Sequence, residues 1–122
     1  FVSLTRTEGW GLGAFEAARL GKPVIMTGYG GQLDFLDPEL AYLVDYELIR
    51  ARELGWSAVY RPTDQWAEPS VEHAAALMRE VFERREEARA RGGRLAQRVA
   101  QEFSRDAITG ALLRALNEEA SV

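Results

Sequence analysis

The first 27 residues change character in an order that restricts the chain to few folds. Residues 1–4 are apolar and β-prone, residues 14–20 are rich in helix formers, and residues 23–27 are typical of a short buried strand. Gly21 stands where a helix C′ residue belongs, because glycine adopts the left-handed conformation without strain. A strand, a helix and a second strand form a βαβ unit, which implies a parallel sheet with a right-handed crossover. The sequence therefore predicts an α/β fold.

Two glycine-rich loops follow the two predicted strands. Between the first strand and the helix, Gly9, Gly11 and Gly13 fall within five residues, which is incompatible with regular structure. Residues 28–31 form a second glycine-rich stretch directly after the second strand. Because neighbouring parallel strands end at the same edge of a sheet, we expect both loops to border one crevice.

The first loop and the helix after it provide the parts of a phosphate site. N–H groups at a helix start are unpaired, the helix dipole favours negative charge there, and glycines let a phosphate approach the backbone. Glu16 lies one to two turns into this helix, where a carboxylate can accept hydrogen bonds from a ribose diol. Spacing alone still favours the alternative of a plain structural turn, with Glu16 paired to Arg19 or Arg6.

The middle of the chain predicts one more strand and a long loop. Residues 41–46 are typical of a strand. Residues 47–65 are split by charges, a glycine and a proline, and they indicate a loop with one short strand at residues 58–60. We interpret residues 66–69, Trp-Ala-Glu-Pro, as the connection from this loop to the first long helix.

The remainder of the chain is predicted to be helical. Pro69 and Ser70 are start signals for a helix that runs to about Arg89, and Ser104 is expected to be the N-cap of the last helix. The glycine pair at residues 92–93 indicates a break between helices. The side chains expected to face the core are Phe15, Ala18 and Leu20 in the first helix, Val71, Ala74, Ala75, Met78, Val81 and Phe82 in the second, Leu95, Val99 and Phe103 in the third, and Ile108, Ala111, Leu112, Ala115 and Leu116 in the last.

Composition excludes several classes of function. The chain of 122 residues has a formal net charge of -4, so it lacks the basic footprint that binds a nucleic-acid backbone. It has no cysteine, which excludes disulfides and thiolate metal sites and favours a cytoplasmic protein. No apolar run approaches the ~20 residues that span a bilayer, so membrane association is not indicated. His73, the one histidine, is expected at the surface.

The order of residues through the first loop and helix resembles a family signature. Two glutamates, Glu8 and Glu16, are separated by seven residues, and Trp10 stands between the first two glycines. The unit closes on Gly-Lys-Pro-Val-Ile, and a later Gly-Gly is followed three residues on by Asp34. This pattern, clearest over residues 1–36, resembles that of the family 4 (group 1) glycosyltransferases, retaining enzymes built from two facing Rossmann-like domains, the GT-B fold.

The resemblance implies a role for each matching residue. Glu8 would contact the transferred sugar near the reacting carbon, and Glu16 would bind the ribose hydroxyls of the donor nucleotide. The backbone of residues 10–12 would face the diphosphate, and residues 30–31 would border the donor pocket. Beside the implied catalytic residue Glu8, the residues implied in substrate binding are Gly9, Trp10, Gly11, Leu12, Glu16, Gly30 and Gly31.

The resemblance also implies the setting of this chain. It implies transfer of a sugar from a nucleoside-diphosphate sugar to an acceptor hydroxyl, with no metal or other cofactor. The chain would be one partial nucleotide-sugar-binding domain, the C-terminal half of a GT-B domain. Residues 1–65 would hold a Rossmann-like parallel sheet with the glycine loops, and residues 66–122 the C-terminal helices. With the acceptor domain upstream, we expect this fragment alone to be inactive. The last helix of this fold packs on that domain, so we expect the stripe Ile108, Leu112 and Leu116 to be exposed in the fragment and to cause self-association.

Three other interpretations of the residues stay open. A nucleotide-binding module without chemistry would use Glu16 and the first loop but not Glu8. Another enzyme on the same fold, such as an epimerase or a phosphorylase, would need acid/base residues or a pyridoxal-phosphate lysine that the pattern does not supply. A structural α/β domain would use the glycines only for turns.

Overall fold

The computed structural model describes residues 1–51, 60–61 and 63–119, apart from the side chain of Glu119. Within these ranges the chain forms a three-stranded parallel sheet, a two-stranded antiparallel sheet and four α-helices. This confirms the predicted α/β class, with a parallel sheet followed by helices. The strand predicted over residues 58–60 lies outside the described residues except for Tyr60, which belongs to no strand.

The parallel sheet contains the predicted βαβ unit. Strand β1 (Val2–Ser3) pairs in parallel with β2 (Ile25–Thr27), and β2 pairs in parallel with β3 (Tyr42–Val44). Helix α1 (Leu12–Arg19) connects β1 to β2. Gly21 follows this helix with a φ of 66°, so it adopts the left-handed conformation that its position predicted. The carboxyl ends of the three strands therefore lie at one edge of the sheet.

Three helices complete the chain. They are α2 (Val71–Glu83), α3 (Arg85–Glu102) and α4 (Arg105–Glu119). The predicted helix start at Ser70 and the predicted N-cap at Ser104 are confirmed, because the hydroxyl oxygens of both serines each accept a hydrogen bond of 3.1 Å from the backbone N–H three residues later.

The predicted helix break at residues 92–93 is wrong. Helix α2 ends six residues before the expected Arg89, and Arg84 separates it from α3. Helix α3 then runs through both glycines without interruption. The reason is a close backbone contact. A Cβ atom on Gly92 would overlap the carbonyl oxygen of Gly21 and lie 3.0 Å from its carbonyl carbon. Gly92 therefore allows α3 to pack on the turn after α1.

The core lies on both faces of the parallel sheet, as is typical of such sheets. Ile25 and Met26 belong to different clusters, because successive strand residues point to opposite faces. The cluster that involves α1 and α3 contains Ala14, Ala18, Val24, Met26, Phe35, Leu36, Ala41, Leu95 and Val99. The cluster that involves α2 contains Ile25, Tyr42, Val44, Ala74 and Ala88.

The inward faces predicted for the helices are only partly confirmed. In α3, Leu95 and Val99 are buried and Phe103 packs against them, as expected. In α2, Ala74 is buried and Val81 packs on the core, but the other expected residues do not. The exposed ones are Val71, Ala75, Met78 and Phe82. Two of them, Met78 and Phe82, instead line an open apolar cleft of about 350 Å³ beside β1, because β1 is an edge strand of this narrow sheet.

The apolar stripe of α4 is exposed, which contradicts its predicted inward orientation within the domain but agrees with the exposure expected for Ile108, Leu112 and Leu116 in this fragment. The residues concerned are Ile108, Ala111, Leu112, Ala115 and Leu116. The half-buried positions of α4 are instead the small residues Ala107 and Gly110. Leu20 was also expected to face inward and is 73% exposed, because it lies beyond the last turn of α1. Self-association through α4 stays a prediction.

The largest difference from the expected fold is a β-hairpin. Strand β4 (Tyr46–Arg50) pairs antiparallel with β5 (Gln65–Pro69), with Leu48 opposite Ala67. The sequence indicated a loop over residues 47–65 and a connection over residues 66–69, and both expectations are wrong for these strand residues. Residues 51–64 separate the two strands, so the chain lacks the short turn of two to five residues that marks a hairpin in a sequence.

Candidate functional site

The first glycine loop ends at a helix start that no side chain caps. Gly11 is the N-cap of α1, with a φ of 83° that favours glycine, and no side chain accepts a hydrogen bond from the helix start. The helix begins with the bond from the Phe15 N–H to the Gly11 carbonyl, at 2.9 Å. The N–H groups of the first turn thus remain for another partner, at the carboxyl edge of the sheet, where the helix dipole favours an anion.

Glu16 lies on the exposed face of α1 that continues from this helix start. Leu12 and Glu16 are four positions apart, so they share one helix face and are separated by about 6 Å along the axis. Leu12 is 65% exposed, and Glu16 lines a cleft of about 290 Å³ with Arg19 and Leu20. Among the described residues Glu16 forms no ion pair. The expected structural alternative, a pair with Arg19 or Arg6, is therefore not observed.

The two glycine loops contact each other directly. The Gly31 N–H donates a hydrogen bond to the Glu8 carbonyl at 3.0 Å. A Cβ atom on Gly31 would overlap the carbonyl oxygen of Gly9. Gly30 has a φ of 113°, and a Cβ atom there would lie 2.8 Å from the Glu8 carbonyl oxygen. The expectation that both loops meet at one edge of the sheet is confirmed, and the second pair of glycines is required by the contact itself.

Glu8 is half-buried between the two loops. Its Cγ atom would lie 3.4 Å from a Cβ atom on Gly11, and the same Cβ would lie 3.3 Å from Met26 Cε. Gly11 thus leaves the space that the Glu8 side chain partly occupies. The structure brings Glu8 and the start of α1 together, as the sequence predicted.

Gln32 is a site residue that sequence reasoning missed. It is fully buried, and its Nε2 donates hydrogen bonds to the carbonyls of Thr27 and Tyr29 at 2.9 and 2.5 Å. Its Oε1 atom has no hydrogen-bond partner in the described part of the chain. A polar residue directly after two glycines was the available signal. Gln32 stabilises the conformation of the second loop, because the two carbonyls that accept its hydrogen bonds belong to that loop and to the strand before it.

Trp10 anchors the first loop to the core. Its ring contacts those of Phe15, Phe35 and Phe103, with centroid distances of 5.5, 5.1 and 5.4 Å. The side chain therefore packs inward, next to the end of α3. The role implied for Trp10 concerned its backbone, and that role stays a prediction.

The hairpin contacts Arg6, which precedes the first glycine loop. The Arg6 guanidinium donates hydrogen bonds to both carboxylate oxygens of Glu68, at 2.5 and 2.9 Å. This hydrogen bond raises the pKa of Arg6 above its ordinary value, although desolvation lowers it and so offsets part of the effect. A raised arginine pKa means that the charge is lost only in strong alkali, so the pair keeps its cation throughout the neutral range.

The one histidine lies beside the carboxyl end of β3. His73 was expected at the surface and is half-buried, and its Nδ1 accepts a hydrogen bond of 3.1 Å from the Asp45 N–H. It thereby joins the start of α2 to the end of β3.

Among the described residues no group of three or more histidine, cysteine or acidic side chains is arranged to hold a metal ion. No helix in those ranges is long and apolar enough to cross a membrane.

Comparison with known proteins gives one match. A search of curated proteins and a search of solved structures each found no match. The family model for a family 4 glycosyltransferase in conflict systems matches residues 1–112, which include both glycine loops, the parallel sheet, the hairpin and most of the helical part. The chain therefore belongs to the family 4 glycosyltransferases found in conflict systems.

Proposed function

We propose that this chain binds the donor of a retaining glycosyltransferase, which transfers a sugar from a nucleoside diphosphate to an acceptor hydroxyl. The observation that carries the proposal is the uncapped start of α1, which shares one exposed helix face with Glu16 and stands next to Glu8. In a nucleoside diphosphate the negatively charged diphosphate is attached to a ribose that carries two free hydroxyls. The helix start suits the diphosphate, and Glu16 suits the ribose hydroxyls.

In this proposal each part of the site recognises one part of the donor. The backbone N–H groups of residues 10–12 bind the diphosphate, and the Glu16 carboxylate accepts hydrogen bonds from the ribose hydroxyls. Glu8 accepts hydrogen bonds from hydroxyls of the transferred sugar. Residues 30–31 border the pocket and keep the loop of Glu8 and Gly9 in place through the contact described above.

The chemistry asked of these residues is stabilisation of a leaving group. The bond from the anomeric carbon to the diphosphate oxygen breaks, and its electron pair remains on the diphosphate. The acceptor oxygen forms the new bond on the same face of the sugar, and its proton passes to the departing oxygen. Helix N–H groups and the helix dipole stabilise the negative charge that develops on the diphosphate. They are already oriented toward it, so the protein does not reorganise during the reaction.

A ligand-observed NMR titration with UDP, GDP and ADP tests the binding step. We expect one nucleotide to bind, and Glu16→Ala to weaken it by about tenfold or more, because hydrogen bonds to a charged group contribute about 1.5–3 kcal/mol. Glu118→Ala, at an exposed position of α4, is the matched control and is expected to change nothing. Equal affinity in the Glu16→Ala variant, or no binding of any nucleotide by the full-length protein, would contradict the proposal.

Glu8→Gln separates a transferase from a binding module. In the full-length protein we expect this variant to lose sugar transfer while it keeps its affinity for the nucleoside diphosphate, because Glu8 faces the sugar and not the nucleotide. Transfer that is unchanged by Glu8→Gln would favour a nucleotide-binding module in which this carboxylate has no role in chemistry.

A further inference from the structure

Strand β5 holds the segment that leads into Glu8. The Ala67 N–H donates a hydrogen bond of 3.0 Å to the Arg6 carbonyl. The Arg6 side chain returns two hydrogen bonds to Glu68, from Nε to Oε2 at 2.5 Å and from Nη2 to Oε1 at 2.9 Å. A bidentate pair of this kind fixes orientation as well as distance. Both the backbone and the side chain of Arg6 are thus held two residues before Glu8.

The same strand contacts Arg6 through an aromatic ring. The Arg6 guanidinium lies 5.1 Å from the centre of the Trp66 ring, within the range of a cation–π contact. Trp66 and Glu68 are two residues apart on β5, so they point to the same face of the hairpin. Three consecutive residues of β5 therefore hold Arg6, although they lie about sixty positions away in the sequence.

The second glycine loop holds the backbone of Glu8 itself. Its carbonyl accepts the hydrogen bond from the Gly31 N–H at 3.0 Å. Only Thr7 separates this anchor from the one at Arg6. The backbone is thus held at the Glu8 carbonyl and again two residues earlier, so a change at either anchor moves Glu8 relative to a ligand bound at α1.

We infer that Glu68 is a positioning residue, which acts through Arg6 to set where the Glu8 carboxylate meets the transferred sugar. This inference rests on the proposed function. Glu68 also lines a cleft of about 410 Å³ together with Asp45 and Tyr46. Direct contact of Glu68 with an acceptor in this cleft is the competing role that the experiment must separate from positioning.

The experiment measures transfer by the full-length protein with Glu68→Gln, which removes the charge and keeps the shape. We expect kcat to fall by about tenfold, because small misplacements of reacting groups cost rates of this order or more. We expect KM for the donor, KM for the acceptor and nucleotide affinity to stay within about twofold, because Glu16 and α1 are untouched. Glu47→Gln is the matched control, since Glu47 lies directly opposite Glu68 on β4 and lines the same cleft.

A charge swap gives the second readout. Arg6→Glu and Glu68→Arg are each expected to lower kcat, and the double variant is expected to recover a substantial part of the loss. Thermal unfolding of every variant verifies that it is folded. An unchanged kcat in Glu68→Gln, a loss confined to KM for the acceptor, or no recovery in the double variant would overturn the inference. A wild-type protein that neither binds a nucleotide nor transfers sugar would instead overturn the proposed function itself.

Discussion

Two places in the described part of the chain bring glycine backbones into contact, and they do so for different reasons. At the carboxyl edge of the sheet, Gly31 packs on the carbonyl of Gly9, between two irregular loops. On the side of the domain, Gly92 in α3 packs on the carbonyl of Gly21, in the turn after α1. Both pairs, residues 30–31 and residues 92–93, look alike in the sequence. The first belongs to a loop and the second to an unbroken helix.

The difference lies in what demands the glycine. At the loop contact, Gly30 meets both demands, because it has a φ of 113° and a Cβ atom there would lie 2.8 Å from the Glu8 carbonyl oxygen. At the helix contact the two demands are divided between partners. Gly92 has ordinary helical geometry and is required only by the contact. Gly21 has a φ of 66°, and a Cβ atom on it would meet nothing closer than 3.9 Å. A glycine pair in a sequence does not reveal which demand applies.

The largest effect is expected for Gly31→Ala. The added Cβ would lie 2.7 Å from the Gly9 carbonyl carbon and would overlap its oxygen, so the loops must separate and the Gly31–Glu8 hydrogen bond is lost. We expect a loss of about 3 kcal/mol or more in the free energy of unfolding, measured by urea denaturation. Gly9→Ala is the control, because a Cβ atom there meets nothing within 4 Å. Equal losses in both variants would show that this contact does not require a glycine.

A smaller loss is expected for Gly92→Ala. Its Cβ would lie 3.0 and 3.1 Å from the carbonyl carbons of Gly21 and Lys22, so α3 must move away from the turn. Overpacking of this kind costs about 1–3 kcal/mol, and the better helix propensity of alanine offsets up to about 1 kcal/mol of it. The neighbouring Gly93→Ala is expected to gain stability instead, by about 0.5–1 kcal/mol, since its Cβ meets no atom within 4 Å. A gain in both variants would contradict the contact.

The smallest effect is expected for Gly21→Ala, on the other side of the same contact. Here no neighbour is displaced, and the cost is that of a left-handed backbone carrying a side chain, about 1 kcal/mol. Gly21→Asn is the control and is expected to lose less, because asparagine tolerates this conformation better than alanine does. If asparagine lost as much as alanine, the cost at Gly21 would be steric and the division between the two partners would be wrong.

The candidate site was readable from the sequence because its parts are close together in the chain. Glu8, the first glycine loop and Glu16 lie within a few residues of a strand and a helix, whose relative position a βαβ unit determines. The second loop follows the neighbouring strand, so its place at the same edge also follows. Their roles toward a ligand stay predictions. The role of Gln32 was not predicted, because only its burial among backbone carbonyls shows which groups it binds.

By itself, the sequence determined the order of strands and helices in the βαβ unit, the left-handed Gly21 and the helix starts at Ser70 and Ser104. Each depends on neighbours a few residues away, through turn geometry, capping and hydrophobic period. Only the tertiary structure decided that β4 and β5 pair, that Arg6 meets Glu68, and that α3 continues through Gly92. These depend on which distant backbones come into contact, and local preference carries no information about such encounters.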